Sequence, residues 1–277
     1  MTVDDLEAKS FLGRTRDERF DGLRRALTTA LTLHDRAGLE FVVAPAPDVH
    51  GALLGRLGTR YTVSVYGHVC GVPGRFGEVF PSPQQEELVA MLVRLHSVPR
   101  DTVPEIGTAA LDPPLRRELE AALRELEEPW AAGPYSEQAR TLFAEHAPSI
   151  SGAMARFDRL AARDRESQRV VTHGEIHGGN LVQTRDGLRL VDWDTVALAT
   201  PERDLWMVDA GDGEALRMYE HGTGRSVDAD ALELYRLRWR LDDTASFVQR
   251  LRSQHERSAD TEHWWAALFE SVELLGS

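Results

Sequence analysis

Apolar residues recur at three- and four-residue spacing from Arg16 to Ala37, at Phe20, Leu23, Leu27 and Leu31. This period predicts a long helix, stopped by Gly38. The pattern then shortens. Phe41-Val42-Val43 predicts a strand ending at Ala44-Pro45, and Ala52–Leu57 and Tyr61–Val65 predict two strands joined through Gly58-Thr59. Glycine and proline punctuate residues 67–83, which predicts a hinge. Beyond it the helical period returns at Leu88, Met91, Leu92 and Leu95, on a helix for which Ser82 is the expected cap. Further helices are expected at Leu115–Leu126, opened by Asp112-Pro113-Pro114, at Ser136–Ala147, at Ser149–Arg163, and from Ala229 to Leu275. Two short apolar runs, Arg169–Thr172 and Leu188–Val191, predict strands on either side of a glycine-rich loop. The expected architecture is α+β. A small strand-rich front occupies residues 1–70, with a hinge at about 66–70, and a large helical part occupies 71–277.

Composition narrows the function classes. At 42% hydrophobic, 277 residues can bury a sizeable core. The net charge of -13 argues against a nucleic-acid partner, which would need a basic footprint. It suits a cationic small molecule, or simply solubility, the blander reading. Cys70 is the only cysteine, which excludes an intramolecular disulfide and a multi-cysteine zinc site. No apolar run approaches the roughly 20 residues of a membrane span, and the acidic start Met1-Thr2-Val3-Asp4-Asp5 lacks the layout of a signal peptide. The expectation is a cytoplasmic protein without a membrane partner.

The chemistry is concentrated between Val170 and Asp209. The loop reads His173-Gly-Glu-Ile-His177-Gly-Gly-Asn180, and Leu190-Val-Asp192-Trp-Asp194 follows. An Asn amide oxygen and a carboxylate at strand ends are hard donors, suited to magnesium carrying a nucleotide's phosphates. A carboxylate at position 175, five residues before Asn180, is placed to orient or deprotonate an acceptor hydroxyl.

This stretch resembles the catalytic loop and metal-binding segment of the aminoglycoside phosphotransferase/choline kinase family, relatives of the protein kinases. The Asp-Trp-Asp and Glu-Arg-Asp-Leu segments resemble its spectinomycin-type branch. The resemblance spans roughly residues 16–250 and implies a kinase-like two-lobe fold with a reduced N-lobe. It implies metal ligation by Asn180 and Asp192, a loop braced by His173, support of that loop by Asp204, and Glu175 as the catalytic carboxylate. Val63–Val69 resembles the strand and hinge that hold adenine, so Tyr66, Gly67, His68 and Val69 are the expected nucleotide-binding residues. Leu88–His96 resembles the family's helix ending in Leu-His. The implied cofactors are ATP and Mg2+. The implied reaction is transfer of the γ-phosphate to a hydroxyl of a small cationic molecule, an aminoglycoside-like metabolite or antibiotic. The alternative is a catalytically impaired kinase-fold binding module.

The sequence departs from that pattern twice. Glu175 stands where the family has Asp, one methylene shorter. The family's glycine-rich hairpin and phosphate-binding Lys have no counterpart before the first helix. Thr2-Val3 fits the tail of the strand that would carry that Lys. Lys9, the only lysine, falls after it in an expected loop and is not matched to the role. Glu18 is the helix candidate for the missing lysine's carboxylate partner. The expectation is a chain that starts late, by about 40 residues in family proportion, or one that has lost nucleotide grip.

Other residues have bland readings beside functional ones. His177 reads first as loop packing and second as a phosphate contact. Asp194 reads equally as a metal-site brace or an acceptor-facing group and as a surface carboxylate. Trp193 and Trp206 read as core; of Trp264 and Trp265, one is expected to pack inward while the other could line an acceptor pocket. Asp209, Asp212, Glu214 and Glu220 read as a solvated face before an amine-binding one. Gly71–Gly77 reads as a flexible linker. A zinc deaminase is excluded because no cysteine follows Cys70. A zincin is excluded because Gly174, not Glu, follows His173, and a P-loop NTPase because its motif is absent.

Overall fold

A computed structural model describes residues 1–78, 80–163 and 168–276. The chain divides into two compact units, Met1–Ala109 with Arg165–Leu232, and Ala110–Asp164 with Glu233–Ser277. The boundary expected near residue 70 falls inside the first unit.

The first unit opens with β1 (Thr2–Asp5), which pairs antiparallel with β3 (Tyr61–Ser64), and β3 pairs in turn with β2 (Gly55–Leu57). Between β1 and β2 lies α1 (Arg16–Asp35). Its start is a reciprocal cap. The Thr15 hydroxyl accepts the Glu18 N–H at 3.2 Å, and the Glu18 carboxylate accepts the Thr15 N–H at 3.0 Å. Glu18 is thus spent on the cap, not on a lysine. Leu23, Ala26, Leu27, Ala30 and Leu33 face the interior, as the apolar period requires. The predicted strand at 41–43 is reduced to an isolated parallel bridge from Val42 to Leu190.

The expected linker at 71–77 is tied into a sheet. Val72–Pro73 forms β4, paired antiparallel with β6 (Leu181–Thr184), and β6 pairs with β7 (Gly187–Leu190). Gly71 and Gly74 are needed here. A Cβ at Gly71 would lie 2.4 Å from the Gln183 carbonyl oxygen, and one at Gly74 would lie 2.5 Å from that of Gly178. Next comes α2 (Ser82–His96), whose N-cap is Pro81; Ser82 is its first residue and forms no side-chain cap. Two strands, β5 (Val170–Thr172) and β8 (Ala197–Ala199), pair antiparallel. The short helices α5 (Glu202–Val208) and α6 (Glu214–Thr223) complete the unit. Leu88, Leu92, Leu95, Val171, Ile176, Leu190 and Trp193 share one core.

The second unit is helical. It contains α3 (Arg116–Arg124), α4 (Ser136–Ala161), most of α7 (Ala229–Arg252) and α8 (Ala259–Gly276). The two helices expected around Pro148 are a single one. Proline inside a helix costs about 3 kcal/mol, but Leu142 and Phe143 before it and Ile150, Ala153 and Phe157 after it bury one continuous face. That packing outweighs one lost backbone bond. The run from Ala229 is interrupted after Arg252, and the Ser258 hydroxyl accepts the Thr261 N–H at 3.2 Å to start α8. Trp264 and Trp265 both pack, half-buried, against this unit's core. No helix among the described residues is long and apolar enough to cross a membrane.

Candidate active site

The loop between β5 and β6 is held from beneath by one carboxylate. Asp204, fully buried near the start of α5, accepts the His173 N–H at 2.9 Å and the Gly174 N–H at 2.6 Å. His96, the last residue of α2, lies with Nε2 3.1 Å from the same Asp204 oxygen that binds His173, and with Nδ1 2.9 Å from the Tyr219 hydroxyl on α6. Burial alone would raise the pKa of Asp204. Hydrogen bonding and charge from His96, with help from Arg203 and His173, hold it below the ordinary carboxylate value instead. Arg203 adds a second brace, donating to the Thr172 hydroxyl at 2.8 Å and to the Thr195 carbonyl at 2.9 Å. Gly174 has φ +101°, a conformation that strains any other residue, and a Cβ there would also press on the Arg203 guanidinium.

His173 is fully buried and works as a neutral ring. Its Nε2 lies 3.0 Å from the Val191 carbonyl, to which it donates, and Nδ1 accepts the Glu175 N–H at 3.2 Å. A second proton at Nδ1 would face that N–H, and burial pushes the ring down to about 4. The indole of Trp193 packs edge-on against it, with centroids 4.7 Å apart.

His173 thereby joins the loop between β5 and β6 to the segment carrying Asp192. A second link runs through Asn180, whose carbonyl accepts the Val191 N–H at 2.9 Å. The Asn180 amide group donates to the Glu175 carbonyl at 3.0 Å. Asp192 is the one non-glycine residue with positive φ (+63°) among the described residues. Its carboxylate accepts no hydrogen bond from them. Backbone strain of this kind is sustained only where the surroundings impose it, and it gathers at functional sites.

An amide oxygen and an uncommitted carboxylate fit a magnesium ion, which takes one or two protein carboxylates and completes its shell from phosphate and water. Among the described residues no group of three or more His, Cys, Asp or Glu side chains is arranged to hold a metal.

Glu175 lies in the same electrostatic neighbourhood. Burial first, then the Asp194 and Asp192 charges, push it up to about 7. Lys9, expected in a loop and not matched to the phosphate-binding role, forms an ion pair and hydrogen bond with Asp194 and lies 3.3 Å from Asp4. Burial opposes its charge, but Asp194, Asp4 and Asp192 more than compensate, and its pKa is raised. Asp194 is raised to about 6 by burial and Asp192, against the pull of Lys9.

The expected adenine segment lies at the end of β3. Tyr66 bridges Pro45, and burial raises its hydroxyl pKa, with further contributions from Asp4, Asp192 and Asp194. Gly67 and His68 are exposed and Val69 is half-buried. Among the described residues, no backbone hydrogen bond engages these three. His177 is packed edge-on against Phe76, at 4.9 Å between centroids. The acidic run at 209–220 serves local structure: Asp209 accepts the Gly213 N–H, Asp212 that of Glu214, and Glu220 that of Val227.

Sequence reasoning left Lys9, His96, Tyr219 and Arg203 without chemical roles. The signal for Lys9 was its uniqueness. For His96 it was the Leu-His end of α2, noted only as a likeness. Nothing local distinguishes Tyr219, whose position depends on how α6 packs.

The pattern of the phosphotransferase enzyme family matches residues 14–240. The chain is 27% identical to Protein StrN of Streptomyces griseus over 92% of its own length and 77% of that protein. It is similar in structure to a spectinomycin phosphotransferase in complex with ADP and spectinomycin. The TM-score is 0.72 at 20% identity, covering 91% of this chain and 81% of that one. An aminoglycoside phosphotransferase from Alicyclobacillus acidocaldarius is similar at a TM-score of 0.58 and 15% identity, covering 91% and 81%. These likenesses establish the kinase-like fold, and with most of its length matched, the chain belongs to the phosphotransferase enzyme family.

Proposed function

We propose that this small-molecule kinase transfers the γ-phosphoryl group of ATP, carried with Mg2+, to a hydroxyl of a small cationic acceptor. The observation that carries the reading is the tie between Glu175, Asn180 and Asp192. The Asn180 amide donates to the Glu175 carbonyl at 3.0 Å, and Asn180 is paired to the residue before Asp192 at 2.9 Å. Asn180 and Asp192 would hold the ion, which supplies neutralisation of phosphate charge when bound. Glu175 would accept the acceptor hydroxyl's proton as its oxygen bonds to the γ-phosphorus and the bond to the nucleoside diphosphate breaks. His173 and Asp204 would keep the loop in place and touch no substrate. The unengaged backbone of Gly67–Val69, beside Tyr66, would receive the adenine edge. The hinge near 66–70 would then divide a nucleotide-gripping front from a catalytic lobe.

The charge of the site supports the acceptor class. Asp4, Glu175, Asp192 and Asp194 lie together against Lys9 and the half-buried Arg203, and the chain carries a net charge of -13. Spectinomycin and kanamycin, each bound in a structural neighbour, are small acceptors to begin with.

The test is release of nucleoside diphosphate, with ATP and GTP in separate arms, over a panel of aminoglycosides, spectinomycin, choline and amino sugars. The expected result is magnesium-dependent turnover with one acceptor class, abolished by Asp192→Ala. Magnesium-independent nucleotide binding without turnover on any acceptor would replace the enzyme reading with a binding module.

A further inference from the structure

The support of Asp204 continues through His96 to Tyr219, and both side chains are buried. Their meeting is built into two helices. Val93 and His96 stand one turn apart on α2, and Tyr219 and Gly222 one turn apart on α6. Gly222 lets the helices approach, because a Cβ there would lie 2.9 Å from Val93 Cγ2. The Tyr219 ring is then edge-on to His96, with centroids 5.4 Å apart, and its hydroxyl lies 2.9 Å from Nδ1.

Asp204 is held below the ordinary carboxylate value, so it is ionised and only accepts hydrogen bonds. The His96 nitrogen facing it at 3.1 Å, Nε2, therefore carries a proton. In a neutral ring this leaves a lone pair at Nδ1, and the group opposite is a phenol whose pKa burial raises. The nearby Thr223 hydroxyl donates to the Tyr219 backbone carbonyl at 2.8 Å. The consistent pattern is Tyr219 donating to Nδ1 and Nε2 donating to Asp204. The Asp204 oxygen that receives Nε2–H is also the one that accepts the His173 N–H. A ring with its proton moved to Nδ1 would turn a lone pair on that oxygen. A doubly protonated ring would compete with the His173 N–H for its charge.

We infer that Tyr219 is a positioning residue for the phosphoryl transfer: its hydroxyl proton, given to Nδ1, locks His96 in the neutral form that carries its proton on Nε2. The anchor of the loop between β5 and β6 is thereby set from α6, and the Asp204 oxygen keeps its charge for the His173 N–H. Tyr219 touches no reacting atom and acts only through His96 and Asp204. The inference rests on the reading of this loop as the one that carries the catalytic carboxylate, and the experiment separates the two claims.

The test pairs nitrogen-15 NMR of the histidine rings with steady-state kinetics of nucleoside diphosphate release. The proteins are the wild type, Tyr219→Phe, His96→Gln and the double variant, and His96→Gln also assigns the His96 signals. The wild-type His96 ring should be neutral and protonated at Nε2 alone. Tyr219→Phe keeps the ring and removes only the hydroxyl. There His96 should take a proton at Nδ1 or mix its two tautomers, and the His173 and Gly174 amide signals should move. Its kcat should fall roughly 3- to 10-fold, the size of one neutral hydrogen bond, with the nucleotide KM unchanged. The amide group of His96→Gln can donate to Asp204 without help from Tyr219, so adding Tyr219→Phe to it should leave kcat unchanged. A wild-type ring that is doubly protonated or protonated at Nδ1 overturns the inference, even if the variant does not fold. So does a Tyr219→Phe ring in the wild-type form, or an equal loss of kcat with and without His96. Ring and amide signals that move as expected while kcat stays constant instead overturn the reading of this loop as the catalytic one.

Discussion

Replacing Asp204 by Asn removes one charge and almost no volume, so its effect measures the hydrogen bonding beneath the loop between β5 and β6. Three donors converge on Asp204: the His173 N–H at 2.9 Å, the Gly174 N–H at 2.6 Å and His96 Nε2 at 3.1 Å. One oxygen serves His173 and His96, and the other serves Gly174. An Asn offers a single oxygen, and its amide group must then face at least one N–H. Hydrogen bonds to a charged group are worth about 1.5–3 kcal/mol each, and breaking a buried pair costs about 3–5 kcal/mol. Asp204 is fully buried, so water cannot substitute. A loss of about 3–5 kcal/mol corresponds to a fall in thermal midpoint on the order of 10 °C for a chain of this size. The loop would also lose its anchor, and a displacement of about 1 Å costs on the order of 100-fold in rate. Differential scanning calorimetry and turnover of Asp204→Asn give both quantities. A midpoint and a rate within error of the wild type would refute the reasoning.

Further outcomes follow from the same geometry. His173 titrates at about 4 when folded against 6.5 when free, so the unfolded chain takes its proton first as pH falls. The stability gained by keeping His173 neutral is complete above pH 6.5 and declines towards pH 4, by about 1.4 kcal/mol per pH unit. Urea denaturation of the wild type should show this steepening and His173→Gln should not; parallel profiles would contradict it. Glu175, raised to about 7, acts as a base only when ionised. Thus kcat/KM for the acceptor should rise with pH through a midpoint of about 7, or lower once a bound cation favours the anion, and level off above it. Glu175→Gln should lose roughly 100- to 10,000-fold and the pH dependence with it; an unchanged acid limb in that variant would remove Glu175 from the base role. Gly174→Ala combines a φ of +101° with a clash against Arg203. It should lower kcat while leaving nucleotide affinity intact, and unchanged kcat would show that the brace can yield.

Much of the fold was legible because long periodic segments bury one face. The first helix and the one ending in Leu95-His96 follow directly from their apolar spacing. The failures have physical causes. Pro148 signalled a break, but the apolar face continues on either side and tertiary packing overrides the local cost. Residues 71–77 read as a linker because glycine is ambiguous, marking either freedom or close approach. At Gly71 and Gly74 the approach of Gln183 and Gly178 is the reason. The strands β6 and β8 are short and gain definition only from their partners. Glu175, Asn180 and Asp192 could be proposed together because they are close in sequence. Lys9 and Asp194 are 185 residues apart and join only in the fold. The same holds for His96 and Asp204, 108 residues apart.

The most direct measurement is a crystal structure of the chain grown with Mn2+ and a non-hydrolysable ATP analogue, read by manganese anomalous scattering. The account predicts a peak about 2.1 Å from Asn180 Oδ1 and from an Asp192 carboxylate oxygen, bridged to the nucleotide's phosphates. It also predicts the Glu175 carboxylate open to the same space. A nucleotide bound with its ion away from Asn180 and Asp192, or with Glu175 turned from the γ-phosphate, would contradict it.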